Sequence, residues 1–177
     1  MKSPDKDLYP EKLLGKNYTG WKGERWLDIR QLTELAPILQ ARLDLCQQKG
    51  FDGVEFDNLD GYANSTGFPI TPEDQIAFNT WLADQARKHG LAPGLKNDPE
   101  QADELSPHFD FAIVESCFAE GWCEEFEPFL KEGKPVLAIE YTEEIDTIED
   151  YCADAKRLGI SLILKNRELD AFQERCE

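Results

Sequence analysis

Phe51-Asp52-Gly53-Val54-Glu55-Phe56-Asp57-Asn58 is an apolar run that stops on a carboxylate and an amide. Two more stretches have the same form. Phe109-Asp110-Phe111-Ala112-Ile113-Val114-Glu115 stops at Glu115, and Pro135-Val136-Leu137-Ala138-Ile139-Glu140 stops at Glu140. Each reads as a buried strand of a parallel sheet, where both faces are covered and polar–apolar alternation is lost. In parallel α/β folds the strand ends gather at one face, and that face carries the chemistry. Crowded carboxylates oppose one another's ionisation, so several of them on one face are costly unless they are used. Paired carboxylates with no other special group are the equipment of glycosidic bond cleavage.

Working outward, Arg25 to Arg30 is a candidate first strand. Residues 1–20, with Pro4, Pro10, Gly15 and Gly20, read as an irregular lead-in. A helix is expected from about Pro37, with Leu39, Leu43 and Cys46 on one face and Gly50 ending it. Thr71 is expected to cap a helix with Pro72 at its first position, carrying Phe78, Trp81 and Leu82 to His89-Gly90. Leu91 to Asn97 is a short strand. Helices over Glu124 to Leu130 and around Ile148, Cys152 and Ala155 flank the strand that ends at Glu140. Ser161 to Lys165 is the last strand, and a terminal helix is expected after it. Alternation of strand and helix means α/β architecture: a partial TIM (β/α) barrel of about six parallel strands with outer helices, in one domain over 1–177. A complete barrel has eight strands and roughly 250 residues, so modules are expected to be missing from the front.

The 177 residues carry a net charge of -17. That argues against nucleic acid, which is held by Lys and Arg, and suits a cationic amino-sugar polysaccharide. It also serves plain solubility. No apolar stretch approaches the ~18 residues of a membrane span, and Met1-Lys2-Ser3-Pro4-Asp5-Lys6-Asp7 has no apolar signal core. Cys117 and Cys123 flank a short loop after Glu115, so a bridge there would clamp the loop. Cys152 could reach Cys176 across the last strand, with connectivity open. There is no Cys-x-x-Cys and there are two histidines. No metal and no cofactor are expected.

These residues resemble a known family. Gly20-Trp21-Lys22-Gly23-Glu24-Arg25-Trp26-Leu27-Asp28-Ile29-Arg30, the Gly50 to Asn58 run with Asp60-Gly61-Tyr62, Gly94-Leu95-Lys96-Asn97, Phe109 to Ala112 with Glu115 and Cys117-Phe118, and Val136 to Tyr141 are similar, in family order, to the endo-α-1,4-polygalactosaminidases of glycoside hydrolase family 114. The resemblance implies a TIM barrel that cuts α-1,4-linked galactosamine chains, with Asp57 and Glu115 as its catalytic pair. Ser116 departs from the Gln expected before the cysteine. Family members carry further strand–helix modules before the segment matching Ser3 to Pro10. The full-length protein is expected outside the cell or at its surface.

The residues themselves select the same pair. Asp57 is expected as nucleophile or charge stabiliser. Glu115 is expected as general acid/base, kept protonated by the four apolar residues before it. Glu55 shares a strand face with Asp57. Substrate-binding candidates are Asp28, Glu55, Asn58, Tyr62, Lys96, Asn97, Trp122, Glu140 and Tyr141. Among them Lys96 would hold Asp57 or Glu115 ionised, and Tyr62 and Trp122 would stack on sugar rings. Asp28 would line the floor or pair with Arg25 or Arg30. Two other readings compete: a lyase or aldolase forming a Schiff base on Lys96, and a truncated barrel that binds glycans without turnover.

Overall fold

The computed structural model describes residues 6–176. They fall into two compact units: residues up to 54 with 58–91, and residues 55–57 with those from 92 onward.

The first unit contains a surprise in the lead-in. β1 (Leu14–Asn17) pairs antiparallel with β2 (Arg25–Leu27), so residues 14–17 are a strand and the Arg25 strand belongs to a small ribbon, not to the main sheet. Arg25 ties the ribbon, donating to Gly15 O at 2.8 Å and Leu14 O at 2.7 Å. Helix α1 (Leu32–Gln48) begins earlier than Pro37, which lies inside it. The Glu34 and Leu35 N–H groups already bond Gln31 O, so the first turn is made without Pro37. Pro37 is the sixth residue of the helix, so its missing N–H leaves out the i→i−4 bond to Thr33 O, a loss the helix carries in its second turn. Helix α2 (Pro72–Lys88) starts as the sequence indicates. Thr71 Oγ1 accepts from Asp74 N, and Asp74 returns the bond to Thr71 N. Leu35, Leu43, Leu82, Ala83 and Ala86 supply buried core.

The second unit is built on a sheet. Strand β3 (Gly53–Phe56) opens the order, followed by β4 (Ala92–Lys96), β5 (Phe111–Glu115), β6 (Val136–Tyr141), β7 (Ser161–Lys165) and β8 (Glu174–Arg175). Pairs β4–β5, β5–β6 and β6–β7 are parallel, and β8 returns antiparallel to β7. The expected terminal helix is therefore replaced by a short strand, held by a disulfide from Cys176 to Cys152 in α6 (Glu149–Leu158). Short helices α3 (Ala102–Leu105), α4 (Cys117–Glu120) and α5 (Glu127–Lys131) occupy the connections.

Alternation survives in this sheet, contrary to the sequence reading. Leu95, Ala112, Val114, Val136, Ala138, Leu162 and Leu164 are buried on one face. The opposite face carries Phe111, Ile113 and Ile139 half-buried and Leu137 exposed. Continuous apolar runs thus mark strands whose second face is apolar but incompletely covered. Gly94 faces Phe111 in register, and a Cβ there would come within 2.3 Å of the Phe111 ring. Gly94→Ala is expected to lose about 1–3 kcal/mol of unfolding free energy, read by denaturant titration. An unchanged midpoint would show that the ring moves aside freely.

Candidate active site

Four strand ends in the second unit carry the charged residues. Asp57 follows β3, and Lys96, Glu115 and Tyr141 are the last residues of β4, β5 and β6. The register pairs Lys96 with Ile113 and Glu115 with Ile139. Period-two alternation then puts Lys96, Glu115 and Tyr141 on one face. The Lys96 Nζ sits between two carboxylates, 3.0 Å from Asp57 Oδ1 and 2.6 Å from Glu115 Oε2. The Tyr141 hydroxyl donates to the other oxygen, Glu115 Oε1. Lys96 is nearly buried and Glu115 largely so, whereas the Asp57 side chain is 63% exposed.

The backbone turns sharply behind each of these groups. Asn58 (φ 60°), Asn97 (φ 51°), Asp98 (φ 63°) and Ser116 (φ 60°) are left-handed without being glycine. Such conformations cost energy and cluster at functional sites. Asn97 also repays its position by accepting from the Glu115 N–H at 2.9 Å, which locks the end of β5 to the end of β4.

Burial works to raise the Glu115 pKa, but hydrogen bonds from Lys96 and Tyr141, with the charges of Lys96 and Arg167, outweigh it and hold the carboxyl below its ordinary value. The expectation of a protonated Glu115 is thereby overturned. Apolar neighbours along the chain matter less than the cation and the phenol aimed at the carboxylate. Lys96 shows the converse balance. Burial would lower its pKa, yet the bonds and charges of Glu115 and Asp57 raise it. A Schiff-base lysine needs a depressed pKa, so that alternative loses its premise. Burial also pushes the Tyr141 hydroxyl up, and its bond to Glu115 adds to this, so Tyr141 stays a donor.

Glu55 behaves differently. Burial raises its pKa; the nearby Lys96 opposes this, and the charges of Asp57 and Glu115 reinforce it. Its buried Oε1 has no hydrogen-bond partner among the described residues. It is the member of the group that favours carrying a proton.

Other candidates are employed elsewhere. Glu140 is fully buried, and its two oxygens accept from Phe118 N and Ala119 N at 2.9 and 3.2 Å. It caps the otherwise unpaired first-turn donors of α4 and is not placed to meet a substrate. Its phase explains this, because Glu140 precedes Tyr141 and so faces the opposite, helix-covered side. Tyr141 is also buried, with its hydroxyl given to Glu115. Within the loop closed by Cys117–Cys123, the Trp122 Nε1 donates to Glu120 at 2.8 Å, and its ring leans on Phe126 just beyond the loop. Asp28, Asn58 and Tyr62 belong to the first unit. There Asp28 pairs with Arg30 through two bonds of 2.7 and 2.9 Å, matching the ion-pair reading of that residue. Both cysteine pairs singled out in the sequence are bridged, and Cys46 is free. Arg167 and Glu144, which bear on Glu115 from beyond β7 and β6, carry no motif that would have drawn notice. No metal-holding group of three His, Cys, Asp or Glu occurs among the described residues.

Comparison with known proteins agrees with this architecture. The model of glycoside-hydrolase family GH114 matches residues 1–177. Aspergillus fumigatus Ega3, solved in complex with galactosamine, superposes with a TM-score of 0.90 at 32% identity, over 98% of this chain and 73% of that one. The glycoside hydrolase domain of Pseudomonas aeruginosa PelA gives a TM-score of 0.64 at 17% identity, over 97% of this chain and 75% of that one. A variant of that domain gives 0.68 at 15% identity, over 96% and 74%. At such identities the PelA likeness concerns the fold alone. No curated protein sequence matches. The mostly parallel sheet with its helices is the partial TIM-barrel-like fold of these structures.

Glu55 offers a test of the electrostatics. Its raised pKa means that its contribution to stability is present below the ordinary carboxylate value and lost as pH rises through the folded value. Glu55→Gln should therefore raise the melting temperature relative to the parent at pH ~7, with the gain vanishing near pH ~3.5. Scanning calorimetry at both pH values checks it. An equal difference at both would remove the assigned burial penalty.

Proposed function

We propose that this chain, which belongs to glycoside-hydrolase family GH114, cleaves a galactosamine-containing polysaccharide with Asp57 and Glu115. Family membership makes it a glycosidase. The choice of residues and of roles rests on one observation: a single ammonium, that of Lys96, touches both carboxylates.

The two bonds are 3.0 and 2.6 Å. The bonded oxygens are thus at most twice 3.0 Å apart. That is short of the roughly 6.5 Å at which inverting pairs begin, because inversion must leave room for a water. The reading is therefore a retaining, two-step hydrolysis. Glu115, ionised and aimed by Lys96 and Tyr141, attacks the anomeric carbon while the glycosidic bond breaks. Asp57, the more exposed carboxyl, takes up a proton from solvent and passes it to the leaving oxygen as the bond breaks. It then takes a proton from the water that releases the sugar from Glu115. These roles reverse those expected from sequence, for the electrostatic reason given above.

The substrate class is supported by the acidic charge of -17, which attracts a polymer bearing ammonium groups. Ega3, the relative at 32% identity, holds galactosamine. The α-1,4 linkage is the reading carried by the family resemblance. Two disulfides favour an oxidising compartment, so action outside the cell or at its surface is part of the proposal. No helix among the described residues is long and apolar enough to cross a membrane.

On α-1,4-linked galactosamine polymer, oligomers are expected by mass spectrometry, with the first-formed reducing ends retaining the α configuration by NMR. Asp57→Asn should lower kcat roughly 10²–10⁴-fold and Glu115→Gln should abolish release. Cleavage by folded Glu115→Gln, or first-formed β products, would refute this assignment.

A further inference from the structure

Arg167 lies two residues beyond β7. The register pairs Tyr141 with Lys165. Thr142 extends the pairing, with its N–H on Lys165 O at 3.0 Å and its hydroxyl on Asn166 Oδ1 at 3.1 Å. These bonds fix where residue 167 emerges. Its guanidinium carbon lies 3.7 Å from the centre of the Tyr141 ring. The guanidinium also pairs with Glu143 Oε2 at 3.1 Å and with Glu144. The other oxygen of Glu144 accepts from the Ser116 hydroxyl at 2.5 Å. Ser116 is the left-handed residue directly after Glu115. Because Tyr141 donates to Glu115, the contacts close a ring that begins and ends at that carboxylate.

We propose that Arg167 is a positioning residue for Glu115, acting on its carboxylate through Tyr141 and on the backbone behind it through Glu144 and Ser116; this rests on reading Glu115 as the reacting carboxylate. The ring positions more than it stabilises. Arg167 is 42% exposed and Glu143 55%, and pairs at such exposure are worth little in stability. Their value is geometric, since a small misplacement of a reacting group costs rate steeply. The cation over the ring face holds the phenol plane. The planar fork reaches two carboxylates at once, which a lysine cannot copy. Without Arg167, Glu144 would stand uncompensated against the hydroxyl of Ser116, and Tyr141 would lose the cation that orients it.

The charged and titratable groups that face Glu115 are Lys96 from β4, Asp57 and Glu55 from the end of β3, Tyr141 from β6 and Arg167 from beyond β7. Lys96 remains the dominant cation when Arg167 is changed, so the effect expected is partial.

The test uses the whole chain with Arg167→Gln and Arg167→Lys. Carbon-13 titration of the Glu115 carboxyl is followed beside kcat and KM on the galactosamine polymer. Arg167→Gln should keep the parent circular dichroism, move the Glu115 titration upward and carry the acid limb of kcat with it. Its kcat should fall roughly tenfold or more while KM stays within about twofold. Arg167→Lys should restore the titration more fully than the rate, since it returns charge without the fork. If Arg167→Gln does not fold, Glu144→Gln removes the same clamp from its other end while keeping the cation, and it should lower kcat with KM held; an unchanged kcat then overturns the inference. An unchanged Glu115 titration in the folded variant overturns the inference, whatever the activity. A moved titration in a protein whose Glu115→Gln variant still cleaves polymer supports the ring and removes the catalytic reading of Glu115 instead.

Discussion

One ammonium between two carboxylates is the constraint on which the site depends. Asp57, Glu115 and Glu55 converge at neighbouring strand ends, and three like charges in a half-buried space oppose one another's ionisation. Lys96 resolves the conflict by touching two of them and leaving the third to favour its proton. The lysine favours its charged form there, because its partners hold its charge more strongly than burial opposes it. That single contact orders the charges of the site: it favours a charged Lys96 and a charged Glu115, while Glu55 favours its proton.

The fold delivers the contact through strand phase. Parallel register aligns Lys96, Glu115 and Tyr141 on one face of the sheet, and left-handed residues turn the chain away immediately afterwards. Asn97 and Asp98 suit that conformation because their short polar side chains bond locally. Ser116 suits it less, and its hydroxyl is bound by Glu144. The Cys117–Cys123 bridge and the Glu140 cap then fix the loop after Glu115 from behind. The loop is thus anchored by a covalent bond, a buried carboxylate and a surface ion pair, each on different residues.

Much of this was legible in the chain itself. Strand ends at Asp57, Lys96 and Glu115, the Thr71-Pro72 helix start and both cysteine pairs stand out in the sequence because they depend on local chemistry. Misreadings came from forces that sequence spacing does not carry. Glu140 ends an apolar run just as Glu115 does, but one residue of phase turns it toward α4, where N–H groups need a carboxylate. The protonated Glu115 expected from its apolar neighbours failed because Lys96 and Tyr141 arrive from other strands. The early start of α1 and the β1 ribbon lie in stretches where proline and glycine pointed to a boundary or a loop. Arg167 reaches Tyr141 across β6 and β7, a relation that only the register discloses.

The central claim is a matter of three atoms. A crystal structure of the protein at neutral pH, at a resolution that orders the Lys96 side chain, measures it directly. The account predicts Nζ within hydrogen-bond distance of both Asp57 Oδ1 and Glu115 Oε2, with the Tyr141 hydroxyl on the remaining Glu115 oxygen. A Lys96 turned to solvent, or bonded to one carboxylate with the other swung beyond reach, would contradict it.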